Sequence, residues 1–152
     1  MPANSKIRVT KEFQFEAAHA LKGYDGPCKN VHGHSYSLSV TIIGTPVTDP
    51  DSPKLGMVID FGDLKKLISH AIIEPLDHAL LLSEDNTPTD FIKIGEPFTN
   101  VRIVPFQPTS ENLLLDFVNR IRKILPEGVE LLSMRLRETS NSYAEWFASD
   151  HA

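Results

Sequence analysis

The chain carries one cysteine in 152 residues, which excludes an internal disulfide and leaves Cys28 as a free thiol suited to a reducing compartment. It has no apolar run near the roughly 20 residues that span a bilayer. Its opening Met1-Pro2-Ala3-Asn4-Ser5-Lys6 lacks the apolar core of a signal peptide, so a cytoplasmic protein with no membrane partner is expected. Positive charge is also scarce: 15 Lys and Arg face 20 Asp and Glu, a net charge of -5 that argues against nucleic acid as a partner. A local basic pocket for a small anion remains compatible with that balance. No internal repeat, low-complexity tract or linker interrupts the chain, and 1–152 reads as a single domain able to bury a core.

What is present is periodicity of two kinds. Residues 7–19 and 34–43 alternate apolar and polar side chains, as two antiparallel strands would, with the loop-like Lys22–Asn30 between them. After the proline-rich 45–53, Met57-Val58-Ile59 reads as a short strand. Asp60 then caps a helix running to about Ile73, with Phe61, Leu64, Leu67, Ile68, Ala71 and Ile72 on its buried face and Pro75 just beyond. A second helix starts at Thr109 or Ser110, carries Leu113, Leu114, Phe117, Val118, Ile121 and Ile124, and stops before Pro126 and Gly128. Val129–Thr139 alternates again, and Tyr143–Phe147 is a last short aromatic strand. The order strand, strand, helix, helix, strand, strand is that of an α+β fold. Between the helices, 83–107 is a long connection containing Val101-Arg102-Ile103-Val104, which should fold locally or serve binding.

The alternation places three histidines on core-facing positions. His19 shares a face with Phe13, Phe15 and Ala17, and His32 and His34 share one with Tyr36, Leu38 and Val40. One inward imidazole is ordinarily a satisfied core residue. Three are costly unless something binds them together, and three imidazoles with an open fourth position are the donor set of a catalytic zinc site. The i, i+2 spacing of His32 and His34 presents two ligands side by side, with zinc ahead of iron or nickel.

Other residues admit more than one reading. Cys28 can be a nucleophile or base, a fourth metal ligand, or an inert loop thiol; a nearby metal or Lys29 would favour its reactive thiolate. Asp77-His78 after the first helix can be a surface charge pair, or a general acid-base in which Asp77 sets the tautomer of His78. Glu138 shares a face with Leu132, Met134 and Leu136, whereas Arg135 and Arg137 take the other side. A carboxylate on an apolar face needs a partner: a buried ion pair, or a planar heterocycle offering paired N–H donors. Lys22, Lys29 and Lys54 are candidate anion ligands but equally ordinary surface lysines, and His70 and His151 receive no role.

These residues together resemble the 6-pyruvoyltetrahydropterin synthase and 6-carboxytetrahydropterin synthase family. The resemblance rests on Phe15-Glu16-Ala17-Ala18-His19, Cys28 through His34, Leu76-Asp77-His78, Pro108-Thr109-Ser110-Glu111-Asn112 and Arg137-Glu138-Thr139, in family order over nearly the whole chain. The three residues between Cys28 and His32 are similar to the spacing in the bacterial carboxy-forming members of the queuosine precursor pathway; the biopterin-pathway enzymes usually carry a longer insertion there. The segment 83–107 is longer than in compact bacterial members.

The resemblance implies that His19, His32 and His34 bind Zn2+ and that Cys28 accepts a proton. It implies that Asp77 and His78 complete the relay, Glu138 holds the pterin ring and is linked to that relay, and Thr109 and Ser110 line the pocket. It implies conversion of 7,8-dihydroneopterin triphosphate to 6-carboxy-5,6,7,8-tetrahydropterin with loss of acetaldehyde and triphosphate. The competing readings are the pyruvoyl-forming synthase, which uses the same substrate, and a non-catalytic zinc-stabilised assembly protein. The implied fold is a tunnelling (T-fold) subunit, a four-stranded antiparallel sheet with two helices on one face. Such subunits close into trimeric barrels that stack as a homohexamer, removing the free sheet edges.

Overall fold

The computed structural model describes residues 4–152. The two longest strands, β1 (Ile7–His19) and β2 (His32–Gly44), pair antiparallel from Ile7↔Gly44 to His19↔His32, so the register ends on two of the three histidines. The intervening loop tightens into a 3-10 turn at Pro27–Lys29 and closes with Leu21 N donating to the Cys28 carbonyl at 3.0 Å.

The sheet is larger than the four antiparallel strands expected, and it is mixed. Ala79–Ser83 forms β3, which lies parallel to the end of β1, and Val101–Val104 forms β4, parallel to β3. With β5 (Val129–Thr139) and β6 (Ser142–Phe147) the order is β4-β3-β1-β2-β5-β6. The run Ala79-Leu80-Leu81-Leu82 has no alternation because a short strand buried on both faces needs none, and nothing local marks it as a strand. Residues 83–107 therefore contribute β4, with short 3-10 turns at Glu84–Asn86 and Phe91–Ile94. Met57-Val58-Ile59, expected as a strand, is irregular; Val47 N instead donates to the Met57 carbonyl at 2.9 Å, in a turn.

The first helix begins as expected. Asp60 caps α1 (Phe61–Ile68) by accepting from Gly62 N and Asp63 N. It does not stop near Ile73: a π-turn at Ser69–Ile73 leads into α2 (Glu74–Leu76), and Pro75 sits inside the helical run. The wider turn has a packing consequence. Leu64, Ile68, Ile72 and Leu76 recur every four residues, a spacing that drifts around an ideal helix of 3.6 residues per turn. One π-turn offsets the drift, and all four remain buried. Phe61, expected on that face, is exposed instead. The later helix, α3 (Ser110–Arg122), buries Leu113, Leu114, Phe117, Val118 and Ile121 as the periodicity requires, while Ile124 lies past its end and is exposed.

Both helical segments contribute to one core with Phe15 and Ala17 of β1, Tyr36, Leu38, Val40 and Ile42 of β2, and Leu131, Met134 and Leu136 of β5. Leu131 occupies the place expected of Leu132. The β2–β5 register shifts between Thr41 and Ile42, where Thr41 faces Ser133 and Ile42 faces Leu131, and such a bulge changes which side chains point inward. Among the described residues, no helix is long and apolar enough to cross a membrane.

Candidate active site

Each strand end delivers one or two imidazoles to the same point. His19 Nε2 lies 3.0 Å from His32 Nε2 and 3.2 Å from His34 Nε2, and the three residues form a set whose donor atoms all fall within 4.8 Å of one another. The outer nitrogens of two rings are fixed by carbonyl groups, which can only accept. His19 Nδ1 donates to the Pro108 oxygen at 2.6 Å, and His32 Nδ1 donates to the Asn30 oxygen at 2.8 Å. Both rings thus aim Nε2 at the centre.

Burial is the main force lowering the basicity of His19, opposed by the Pro108 bond and the Glu138 charge and reinforced by its histidine neighbours. Burial likewise lowers His34, opposed by Glu138. With Nδ1–H of His19 and His32 donated outward, the neutral tautomers of these rings leave no proton on either Nε2 for the 3.0 Å contact between them. Their separations of 3.0 and 3.2 Å are close to the roughly 3.3 Å edge of a tetrahedron with metal–nitrogen bonds of about 2.0–2.1 Å. The donor set fits a transition-metal ion.

Glu138 stands beside this cluster. Its Oε1 is 3.1 Å from His34 Nε2 and 3.4 Å from His19 Nε2. The β5–β6 register shifts between Arg137 and Thr139, so Glu138 sits on a bulge that aims its side chain. Beneath the cluster Tyr36 packs edge-on to His19 and His34 and stacks on Phe15 at 5.0 Å. Burial, with the Glu138 charge adding to it, pushes the Tyr36 phenol up and keeps it neutral; its hydroxyl is buried with no hydrogen-bond partner among the described residues.

Asp77 and His78 form a second group on the other side of β1. Glu16 N donates to Asp77 Oδ1 at 2.9 Å, and His78 N donates to the Glu16 carbonyl. Asp77 Oδ1 is also 3.1 Å from His78 Nδ1, the contact expected of a carboxylate that orients an imidazole. His78 has φ 63°, a left-handed conformation uncommon for a non-glycine residue, and its side chain is 79 % exposed. Cys28 is half-buried in its 3-10 turn. Among the described residues no hydrogen bond or ion pair joins Cys28 or His78 to the histidine cluster, and Cys28 lies outside the metal-binding set.

The start of α3 supports the metal cluster through Gln107, Pro108 and Asn112, to which the sequence pattern assigns no role. Thr109 caps the helix by accepting from Asn112 N, whereas Ser110 is its first residue, with a buried hydroxyl that has no partner among the described residues. Asn112 Nδ2 donates to the Gln107 carbonyl at 3.0 Å. The Gln107 side chain bonds the Lys22 main chain in both directions, at 2.9 and 3.1 Å. This clasp brackets Pro108, the acceptor for His19. Side-chain amides occur throughout the chain, so only Asn112, in the Pro108–Asn112 motif, had a sequence signal. Of the candidate anion ligands, Lys22 pairs with Asp85 and Lys54 with Asp60 and Asp63, whereas Lys29 has no ion pair among the described residues.

The profile of the 6-pyruvoyl tetrahydropterin synthase family matches residues 8–149. The chain belongs to that family. It is similar to the 6-carboxy-5,6,7,8-tetrahydropterin synthase of Haemophilus influenzae, 37 % identical over 142 residues that cover 92 % of this chain and 98 % of the relative. It is also similar to the 6-pyruvoyl tetrahydrobiopterin synthase of Pongo abelii, 30 % identical over 149 residues covering 90 % and 88 %. The solved structure of Caenorhabditis elegans 6-pyruvoyl tetrahydropterin synthase superposes with a TM-score of 0.68 at 25 % identity, over 97 % of this chain and 99 % of that one. The two chains thus share an overall course despite low identity.

Proposed function

We propose that this chain is a zinc-dependent lyase converting 7,8-dihydroneopterin triphosphate to 6-carboxy-5,6,7,8-tetrahydropterin, with release of acetaldehyde and triphosphate, in 7-deazaguanine (queuosine) precursor synthesis. The observation that carries this reading is the convergence of three imidazole Nε2 atoms beside a carboxylate, in a chain 37 % identical to a protein of that name. Zinc held by His19, His32 and His34 supplies Lewis-acid polarisation of substrate oxygens, which makes the adjacent C–H bonds acidic.

The protein groups then divide the work. Cys28, as thiolate, takes a carbon-bound proton, and His78 returns one from the opposite side, with Asp77 stabilising its cationic form. Glu138 accepts the paired N–H donors of the pterin ring and fixes one orientation for successive elimination, tautomerisation and carbon–carbon cleavage. Thr109 and Ser110 line the same pocket, and Lys29 is the most available of the three lysines for the triphosphate.

The exposure of His78 and its separation from the metal cluster favour a site completed between subunits. The outer strands β4 and β6 support the same reading, since unpaired edges call for a neighbour and β6 carries exposed Tyr143 and Phe147. A cytoplasmic homohexamer of single-domain subunits, two stacked trimeric barrels, accommodates both features; neither nucleic acid nor membrane is a partner.

Product analysis tests the assignment. Incubation with 7,8-dihydroneopterin triphosphate should yield acetaldehyde and the carboxylated tetrahydropterin in equal amounts. Accumulation of the pyruvoyl product without acetaldehyde would assign the chain to the pyruvoyl-forming branch instead. Absence of any turnover, with the oligomer falling apart on zinc removal, would leave a structural role for the metal.

A further inference from the structure

We propose that Arg120 of α3 is a positioning residue for Asp77 and His78, which it holds in place by capping an orphaned carbonyl in the π-turn before them. This rests on the functional reading above, in which that pair moves protons.

The need for a cap follows from one residue. Pro75 has no N–H, so the carbonyl four residues earlier, that of Ala71, loses the donor an α-helix would give it. A backbone carbonyl packed against a core and left unpaired is costly. Arg120 Nη1 supplies the missing bond from 49 positions away, donating to the Ala71 oxygen at 3.0 Å in a part-buried contact. Asp116, one turn earlier on α3, places Oδ2 2.8 Å from Arg120 Nη2 and so fixes the guanidinium from its other side. An i, i+4 pair of this kind on a helix surface is ordinarily worth little. Here the same guanidinium ties α3 to the first helical run.

The tied segment decides where His78 stands. Glu74 N donates to the Ser69 carbonyl, the five-residue spacing of a π-turn. Each residue of an α-helix advances about 100° around its axis, so losing the extra residue of the π-turn would rotate everything beyond it by that angle. Beyond it, Asp77 N donates to the Ile73 carbonyl at 2.8 Å, Asp77 Oδ1 accepts from Glu16 N at 2.9 Å, and His78 N donates to the Glu16 carbonyl. Asn100 Nδ2 donates to the Asp77 carbonyl at 3.3 Å. These bonds all require the present register. Buried Leu76 secures the run on its core side, and Arg120 secures it on the side of α3. The His78 side chain is 79 % exposed, so packing does not place it; the backbone beneath it does.

Arg120→Met keeps the aliphatic stem and removes the donors, whereas Arg120→Lys keeps a charged donor. In the full zinc-loaded chain, Arg120→Met should lower kcat for 7,8-dihydroneopterin triphosphate about 10²-fold with KM and zinc content unchanged, because it touches neither Glu138 nor the three histidines. Arg120→Lys should recover part of the loss. Hydrogen exchange read by mass spectrometry gives a measure independent of turnover: residues 69–78 should exchange faster in Arg120→Met, while β2 and β5 keep the wild-type rate. Faster exchange in every element with kcat unchanged would make Arg120 a stabilising residue only and overturn the proposal. Wild-type exchange over 69–78 would overturn it as well. A wild-type chain without turnover would remove the functional reading, and faster exchange confined to 69–78 would still show that Arg120 sets the position of this segment.

Discussion

His19 Nδ1 donates to the carbonyl oxygen of Pro108 across 2.6 Å, joining the end of β1 to a residue 89 positions away at the entrance to α3. The bond leaves His19 Nε2 as the inward donor atom, so one tertiary contact sets the tautomer of a candidate metal ligand. Residues holding Pro108 in place therefore matter to the metal although none of them touches it.

Gln107→Ala tests that dependence. It removes two hydrogen bonds to the Lys22 main chain, each worth about 0.5–1.5 kcal/mol in net stability. Zinc affinity should fall about tenfold as Pro108 loosens, whereas a purely structural role would lower the denaturation midpoint and leave zinc competition unchanged.

Cys28→Ala should lower turnover by about 10²–10⁴-fold while retaining full zinc content, because Cys28 lies outside the histidine set. Metal analysis of the purified variant checks this. Loss of zinc would make Cys28 a ligand after all.

Asp77→Asn and His78→Gly separate chemistry from folding. The amide oxygen introduced by Asp77→Asn can still accept from Glu16 N, so that variant should fold normally. It should nonetheless lose activity about 10²–10⁴-fold, because an amide at Asp77 no longer orients the His78 ring as the carboxylate does at 3.1 Å. His78→Gly relieves a φ of 63° and should gain up to about 1 kcal/mol in denaturant unfolding while losing turnover. A destabilised His78→Gly would show that the imidazole contacts outweigh the backbone cost.

Acid should destabilise the metal-free protein. The folded-state values of His19 and His34 lie below their ordinary 6.5, chiefly through burial, so below that pH the unfolded chain takes up protons that the folded chain resists. Stability is full above pH 6.5 and declines as pH falls through 6.5, by at most about 1.4 kcal/mol per pH unit for each histidine. Urea unfolding at about pH 8, 6.5 and 5.5, spanning the ordinary histidine value, measures the slope. Zinc binding should weaken over the same range, since protons and metal compete for the same nitrogens.

The sequence was informative wherever a local rule applied. Alternation with period two puts His19, His32, His34 and Glu138 on inward positions; helical spacing picks out Leu113 through Ile121; and Asp60 is a recognisable cap, as is the Thr109-Ser110 pair, of which the structure uses Thr109. It was uninformative where the deciding partner lay far along the chain. Ala79–Ser83 becomes a strand only because the end of β1 offers a parallel edge, and Leu131 replaces Leu132 in the core only because β5 bulges against β2. The π-turn that carries the first helix past Ile73 answers to the core it packs on, not to a local breaker.

By itself, then, the sequence determined which residue types face inward and the family to which their order belongs, because side-chain direction in a strand or helix follows from backbone geometry over a few residues. Tertiary structure decided how those residues meet. It brought His19 opposite His32, turned Glu138 onto the cluster through a bulge, set Gln107 and Asn112 around Pro108, and left His78 facing outward. Register, bulges and strand addition depend on pairings between distant segments, and no local pattern encodes them.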